Sequence, residues 1–421
     1  MMTNKKNKLI PKLRFKEFSQ AWRENILGEV SKVVVGGTPS TDVEEYWGGD
    51  IGWIGSGELK NNIIRYPTKY ITTEGLQQSS TKLLPQNTTV LAMTGATLGK
   101  IGFLNFECCG NQSVAGFVNL VNLDSKFLYY YLQRITKQIE SLAGGGAQAG
   151  INKSNIENIN IKIPSLKEQQ KIANCLSSLD ELIEAQEEKL KLLKEHKKGL
   201  MQQLFPQVND NHDVIGGGDL PKLRFPEFIN DGAWEEKTLG EISFSIFDGT
   251  HQTPKYTEEG IPFFSVENLI SKNKNKFISK EDYLILTAKN KPEKDDILIT
   301  RIGNIGFSTV VSWDYEFSIY VTLATVKKSD KFIPHYLNGY FQSEVYQKEI
   351  RSKSLLNAVP MKINMNDLRN TKVLLPTIKE QQKIADCLSS LDETIEAQDQ
   401  KIELLKQHKK GLMQGLFPVM N

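Results

Sequence analysis

Residues 164–206 read PSLKEQQKIANCLSSLDELIEAQEEKLKLLKEHKKGLMQQLFP, and residues 376–418 read PTIKEQQKIADCLSSLDETIEAQDQKIELLKQHKKGLMQGLFP. At a constant offset of 212, 33 of these 43 positions are identical. A weaker echo precedes each copy, PKLRFKEF at 11–18 and PKLRFPEF at 221–228. Solenoid repeats have periods of about 20–50 residues, so a repeat of this length is a duplicated half-molecule. The chain of 421 residues divides into a variable block (1–163), a near-invariant segment (164–206), a linker (207–220), a second variable block (221–375) and the segment again (376–421). The linker QVNDNHDVIGGGDL is polar and carries three consecutive glycines, the composition of a flexible connection.

Each repeated segment has the pattern of one long helix. Pro164 and Pro376 precede them, Pro206 and Pro418 end them, and no proline lies between. Alternating steps of four and three link Ile172, Leu176, Leu179, Ile183, Gln186, Leu190, Leu193, Lys197, Leu200 and Leu204. The second copy gives Ile384, Leu388, Leu391, Ile395, Gln398, Ile402, Leu405, Lys409, Leu412 and Leu416. An a/d stripe sustained over four heptads calls for a partner helix. Two arrangements answer it: each helix packs on its own domain, or the two pair with each other. Pairing uses the whole stripe. An antiparallel pair follows from each helix leaving its own globular block, with a pseudo-two-fold relating the halves. Gln186 and Gln398, polar positions in the stripe, are suited to set the register.

The variable blocks mix strand and helix patterns, so the expected class is α+β: two similar globular domains separated by a long antiparallel two-helix coiled coil. Residues 22–41 align with 234–253, 50–60 with 260–270, 90–104 with 297–311, 125–142 with 330–347 and 151–164 with 363–376. The apolar frame recurs while the loop residues differ. Divergent loops on a shared scaffold point to two related sites that read different things.

Composition narrows the function. Lys plus Arg is 52 against 50 for Asp plus Glu, a net charge of +2, which excludes a uniformly basic nucleic-acid coat. The charge is uneven: residues 1–163 are net +5, whereas 207–375 are net −2. Any phosphate-contacting face on the second block is therefore local, and isolated binding is expected to be weak and salt-sensitive. No apolar run reaches the roughly 18–20 residues of a membrane span, and the N-terminus lacks an apolar signal core. Four cysteines, none in a CxxC pair, fit a reducing cytoplasm.

Catalytic look-alikes do not survive comparison of the two halves. Gly95 to Lys100 resembles a phosphate loop, but it is one spacer residue short and Ile101 stands where Ser or Thr would hold magnesium. Asp50, Glu58 and Lys60 resemble a nuclease carboxylate set, but Gly260, Asn268 and Ile270 replace them in the second copy. His196 and His408 are repeat mates on a charged helix end, and Cys175 and Cys387 are repeat mates beside the stripe. No catalytic residue and no metal-ligand set is assigned, and the chain reads as a non-catalytic adaptor. The competing classes are an enzyme acting alone and a scaffold with no nucleic-acid role.

The order of PKLRF, the GGTPS loop at 36–40, GATLGKIG at 95–102, NQSVAG at 111–116 and KEQQKIA at 167–173 and 379–385 resembles the specificity subunit of type I restriction–modification enzymes. The resemblance covers essentially the whole chain. It implies two target-recognition domains, each reading one half of a split DNA sequence. It implies that the helices space these domains and dock two methyltransferase subunits that bind S-adenosylmethionine and methylate adenine. It further implies that motor-nuclease (restriction) subunits, with ATP and magnesium, join the complex, and that no cofactor falls on this chain. The Asn/Asp-Pro-Pro-aromatic motif of adenine methyltransferases is missing, since no two prolines are adjacent.

Base readout needs paired donors and acceptors, such as Arg or Lys to guanine and Asn or Gln to adenine. The diverging loop positions nominate Thr38, Ser40, Ser56, Lys60, Thr94, Thr97, Lys100, Gln112 and Gln148 in the first block. In the second they nominate Thr250, His251, Gln252, Asn268, Arg301, Asn304, Tyr320 and Lys362. Arg301 is foremost, a lone arginine in a glycine turn between apolar strands. The helix-pair interface is expected at Ile172, Leu176, Leu179, Ile183, Leu190 and Leu193, and at Ile384, Leu388, Leu391, Ile395, Ile402 and Leu405.

Overall fold

The computed structural model describes residues 10–143, 150–207, 220–271 and 273–418. The chain forms two compact units, Met1–Glu187 with Gln400–Asn421, and Glu188–Asp399. Both repeated segments are unbroken helices, Leu166–Leu204 and Ile378–Gly415. The first has 39 residues, about 58 Å of helix at ~1.5 Å per residue. Among the described residues no helix is long and apolar enough to cross a membrane.

The stripe predicted from the sequence is the buried face. Ile172, Leu176, Ile183 and Leu190 are buried in the first helix, as are Ile384, Leu388 and Ile402 in the second. Leu179, Leu193, Leu391, Ile395 and Leu405 are half-buried. Leucines off the stripe stay in water: Leu192 is 55% exposed and Leu404 65%. Position on the helix thus decides burial, as an a/d seam requires. The helices are paired. In the first unit Lys409 reaches Asp180 at 2.5 Å and Lys406 reaches Glu187 at 2.8 Å, so partner numbers fall along one helix as they rise along the other, an antiparallel pair. In the second unit Lys197 meets Asp392 at 2.6 Å.

The first unit is built on a five-stranded sheet ordered Lys32–Val35, Val114–Val118, Thr89–Ala92, Ile101–Leu104 and Asn62–Ile64. A smaller sheet orders Lys69–Ile71, Trp47–Ile54, Cys108–Gly110 and Leu83–Leu84. Arg23–Ile26 pairs antiparallel with Asn160–Ile163. The helix Ser125–Arg134, capped by Asp124, packs Phe127, Leu128, Tyr129, Tyr130, Tyr131 and Leu132 into the core.

The second unit repeats the plan. Its main sheet orders Ile246–Asp248, Leu323–Val326, Ile297–Thr300 and Ser308–Val310, and its smaller sheet Phe277–Ile278, Ile261–Phe264 and Ser318–Ile319. Glu235–Thr238 pairs with Lys372–Leu375 as the two-stranded clip.

Each core is closed by an aromatic ring from the end of a long helix. In the first unit Phe417, just past the second helix, lies 6.2 Å from the Trp22 ring, 5.6 Å from Phe127 and 5.8 Å from Tyr131. In the second unit Phe205, just past the first helix, lies 6.4 Å from Trp234, 5.9 Å from Tyr336 and 5.8 Å from Tyr340. The PKLRF segments tie down the opposite helix ends. Arg14 grips Glu168 with Nε and Nη2, both at 2.8 Å, and Trp22 Nε1 donates to the same carboxylate. Arg224 grips Glu380 at 2.8 and 2.7 Å. Glu168 and Glu380 are 2% and 1% exposed, so each fork neutralises a charge that would otherwise be stranded.

Two outcomes follow for denaturant unfolding of the purified chain. Phe417→Ala and Phe205→Ala should each cost about 3–5 kcal/mol, the range for emptying a packed aromatic site. Arg224→Met should cost about 3–5 kcal/mol by leaving Glu380 buried and unpaired. A loss below about 1 kcal/mol in any of them would show that the ring or the fork does not hold its core.

Candidate nucleic-acid interface

The diverging loops converge in each unit at one end of the main sheet. In the first unit Thr38 Oγ1 donates to Gln112 Oε1 at 2.5 Å, and Thr94 Oγ1 to Ser113 Oγ at 2.6 Å. Asn111 N donates to Ile54 O, which brings the loop bearing Ser56 to the same place. The Lys60 amide donates to Asn62 Oδ1, and Asn61 Oδ1 accepts from the Ile101 amide beside Lys100, so these two lysine-bearing loops adjoin. Thr97 lies in the short helical turn Gly95–Thr97 that leads to Lys100. Ser40 is exposed, with Trp47 Nε1 donating to its carbonyl at 3.1 Å. Thr94 bridges Gly150. Gln148 lies outside the described residues.

In the second unit Thr250 N donates to Ile319 O, Val321 N to Thr250 O, and Thr250 bridges Tyr320. Ile302 bridges Lys362, and the carbonyl of Asn304 accepts from Thr300 Oγ1, which shapes the turn between strands. Thr250, His251, Gln252, Tyr320, Asn304 and Lys362 thus share one surface, with His251, Gln252, Asn304 and Lys362 exposed.

Two nominated residues are not presented to solvent. Asn268 is 3% exposed; its Oδ1 accepts from Ser265 N and Oγ, and its Nδ2 donates to Asn273 O and Asn275 Oδ1. Arg301 is 7% exposed. Its Nη1 donates to Asp248 Oδ2 at 2.9 Å and Val321 O at 3.0 Å, and its Nε to Ile363 O at 3.3 Å. Burial pulls this guanidinium below its ordinary value, while Asp248 pulls it back up. Sequence reasoning placed Arg301 in an open turn because its acidic partner lies 53 residues earlier.

Backbone bonding also corrects the alignment of the halves near these loops. At an offset of 212, Gly36 faces Asp248. In the structure the mate of Gly36 is Gly249. Each glycine follows the edge strand and is pressed on a carbonyl: a Cβ would stand 2.0 Å from Gly110 O in one and 2.0 Å from Ile319 O in the other. The second unit has one extra residue before its edge strand, at the segment holding Phe244, which is 80% exposed. Val35 and Asp248 are then mates, paired with Ala115 and Ala324. Met93 and Arg301 are mates too. Met93 N donates to Ser113 O and its carbonyl accepts from Ile151 N; Arg301 N donates to Thr322 O and its carbonyl accepts from Ile363 N. The signal missed in the sequence was Asp248 itself, which holds both Arg301 and His251 Nε2 at 3.0 Å.

The nuclease-like residues serve the loop. Asp50 is exposed on its strand, and Glu58 Oε1 accepts from Gly55 N at 2.9 Å and Thr68 Oγ1 at 2.8 Å. Among the described residues no group of three or more His, Cys, Asp or Glu side chains stands together as a metal site.

The MjaIX type I specificity subunit of Methanocaldococcus jannaschii is 27% identical over 414 residues, covering 94% of this chain and 92% of that one. The EcoR124I/EcoR124II specificity subunit of Escherichia coli is 30% identical over 176 residues, 40% of this chain and 43% of that one. The fold is similar to the crystal structure of a type I restriction–modification S subunit from M. genitalium, with a TM-score of 0.62 at 19% identity, over 98% of this chain and 100% of that one. A chain from a structure of type I restriction–modification complex assembly and conformational transition gives 0.55 at 20% identity, over 95% and 98%. The family model for the type I restriction modification DNA specificity domain matches twice, at residues 20–195 and 232–407. With most of its length matched in this doubled form, the chain belongs to the DNA specificity subunits of type I restriction–modification systems, the non-catalytic component that carries target recognition.

Proposed function

We propose that the chain reads a bipartite DNA target, with the loops of block 1–163 on one half-site and those of block 221–375 on the other. The observation that carries this reading is the gathering of unlike polar side chains on like frames. Thr38, Gln112, Thr94 and Lys100 in one unit, and Thr250, His251, Gln252, Tyr320 and Lys362 in the other, lie at the corresponding sheet end, where Gly37 N and Thr250 N donate to Gly110 O and Ile319 O and the bridges Thr94–Gly150 and Ile302–Lys362 match. Direct readout requires such donors and acceptors, and no shared chemistry is needed between two domains that read different bases. Ser40, Ser56, Lys60, Thr97 and Asn304 complete the proposed contact set. The uneven charge favours local phosphate contacts, supplemented by partner subunits in the cytoplasm.

In this reading two methyltransferase subunits dock on the helix pair and carry S-adenosylmethionine. Restriction subunits join through the complex with ATP and magnesium. Incubating the chain with DNA and labelled S-adenosylmethionine, with and without methyltransferase subunits, tests this division of labour. Label should enter DNA only when both are present. Label transferred by the chain alone would instead identify an enzyme acting alone.

The helix pair is proposed to set the number of unread base pairs between half-sites. Adding four residues to both helices lengthens them by ~6 Å. At ~3.4 Å per base pair the spacer should grow by about two. An unchanged spacer in the methylated sites of that variant would refute the ruler.

A further inference from the structure

The second unit has a partly buried charge pair, with the Arg301 side chain 8% and that of Asp248 21% exposed, where the first has none. Val35 and Met93 stand in the apolar core of the first unit, and Asp248 and Arg301 occupy the matching backbone positions in the second. The first unit shows that apolar side chains suffice for this frame. Such a charge pair is weak evidence for stability, because desolvation of the buried guanidinium offsets its attraction to the half-buried carboxylate, and apolar replacements of similar volume are often neutral or better. The pair therefore calls for another explanation, and its surroundings supply one. Asp248 Oδ2 binds Arg301 Nη1 at 2.9 Å and His251 Nε2 at 3.0 Å. Arg301 is in turn fixed by Val321 O and Ile363 O, carbonyls on two further segments of the unit. The His251 side chain is 72% exposed. An exposed imidazole is thus anchored through one nitrogen to a half-buried carboxylate that the buried Arg301 holds in turn.

We propose that Arg301 and Asp248 are positioning residues that hold the His251 ring as a base-edge contact to the second half-site, with Arg301 itself never reaching DNA. This rests on the reading of these loops as the DNA-facing surface, and it reverses the role that the sequence suggested for Arg301. Held through Nε2, the ring leaves Nδ1 for the base. Asp248 is the charged group bonded to the ring, and Arg301 is bonded to Asp248 behind it. The arrangement follows the general rule that a contact residue discriminates only when its own orientation is locked by the groups behind it.

The full chain in complex with methyltransferase subunits provides the test, using duplexes that carry the cognate target or a change in one half-site. Asp248→Val with Arg301→Met installs the first unit's solution. The double variant should unfold like the parent and read the first half-site normally, but lose about 5- to 150-fold in discrimination at the second, the range for one base contact. His251→Ala should lose the same factor, the triple variant should lose no more, and Arg301→Lys should retain part of it. If the double variant fails to fold, Arg301→Lys and His251→Ala form the same cycle, and the loss from Arg301→Lys should vanish once His251 is gone. Parent-like discrimination by the double variant or by His251→Ala, or losses that multiply in the combined variants, would overturn the positioning role while leaving DNA reading intact. A parent complex that binds all duplexes alike would instead overturn the DNA reading itself.

Discussion

Closure of each core by a ring delivered from the end of a long helix is the constraint on which the structure depends. Phe417 completes the cluster around Trp22, Phe127 and Tyr131, and Phe205 completes the one around Trp234, Tyr336 and Tyr340. Neither repeat supplies its own plug. The first variable block needs residues from the end of the second helix, and the second block needs residues from the end of the first. The helices are therefore integral to both cores, and the Arg14–Glu168 and Arg224–Glu380 forks fix where each helix starts.

That division separates what must stay constant from what is free to change. Strand pairing, the glycines pressed on Gly110 O and Ile319 O, and the ring plugs recur in both units. The side chains at the loop end of the sheet do not. Where the first unit has Thr38 bonded to Gln112, the second has His251 bonded to Asp248. Even the layer beneath differs, with an apolar pair in one unit and an ion pair in the other. The proposed reading of two unlike half-sites needs only this: one frame with two sets of tips and supports.

Much of the fold was legible in the sequence. The stripe from Ile172 to Leu204 and its copy are the buried helix faces, and recurrence at a fixed offset revealed two like units. The forks were legible only as recurrence: Arg14 with Arg224 and Glu168 with Glu380 repeat, but nothing local says that an arginine will reach 154 residues ahead. The candidate surface was partly legible. Loop divergence located it, while one extra residue near Phe244 hid the matching of Asp248 to Val35, and a one-residue slip between 90–104 and 297–311 hid that of Arg301 to Met93. An arginine leading into a glycine turn looks exposed in a sequence, because the carboxylate and carbonyls that bury it lie on distant segments.

Genome-wide mapping of methylated adenines in a host carrying this chain, beside one whose residues 221–375 come from another family member, tests the central claim most directly. The account predicts a split motif in which the exchange rewrites one half and leaves the other half and the spacer unchanged. A single contiguous motif, or two halves that change together, would contradict it.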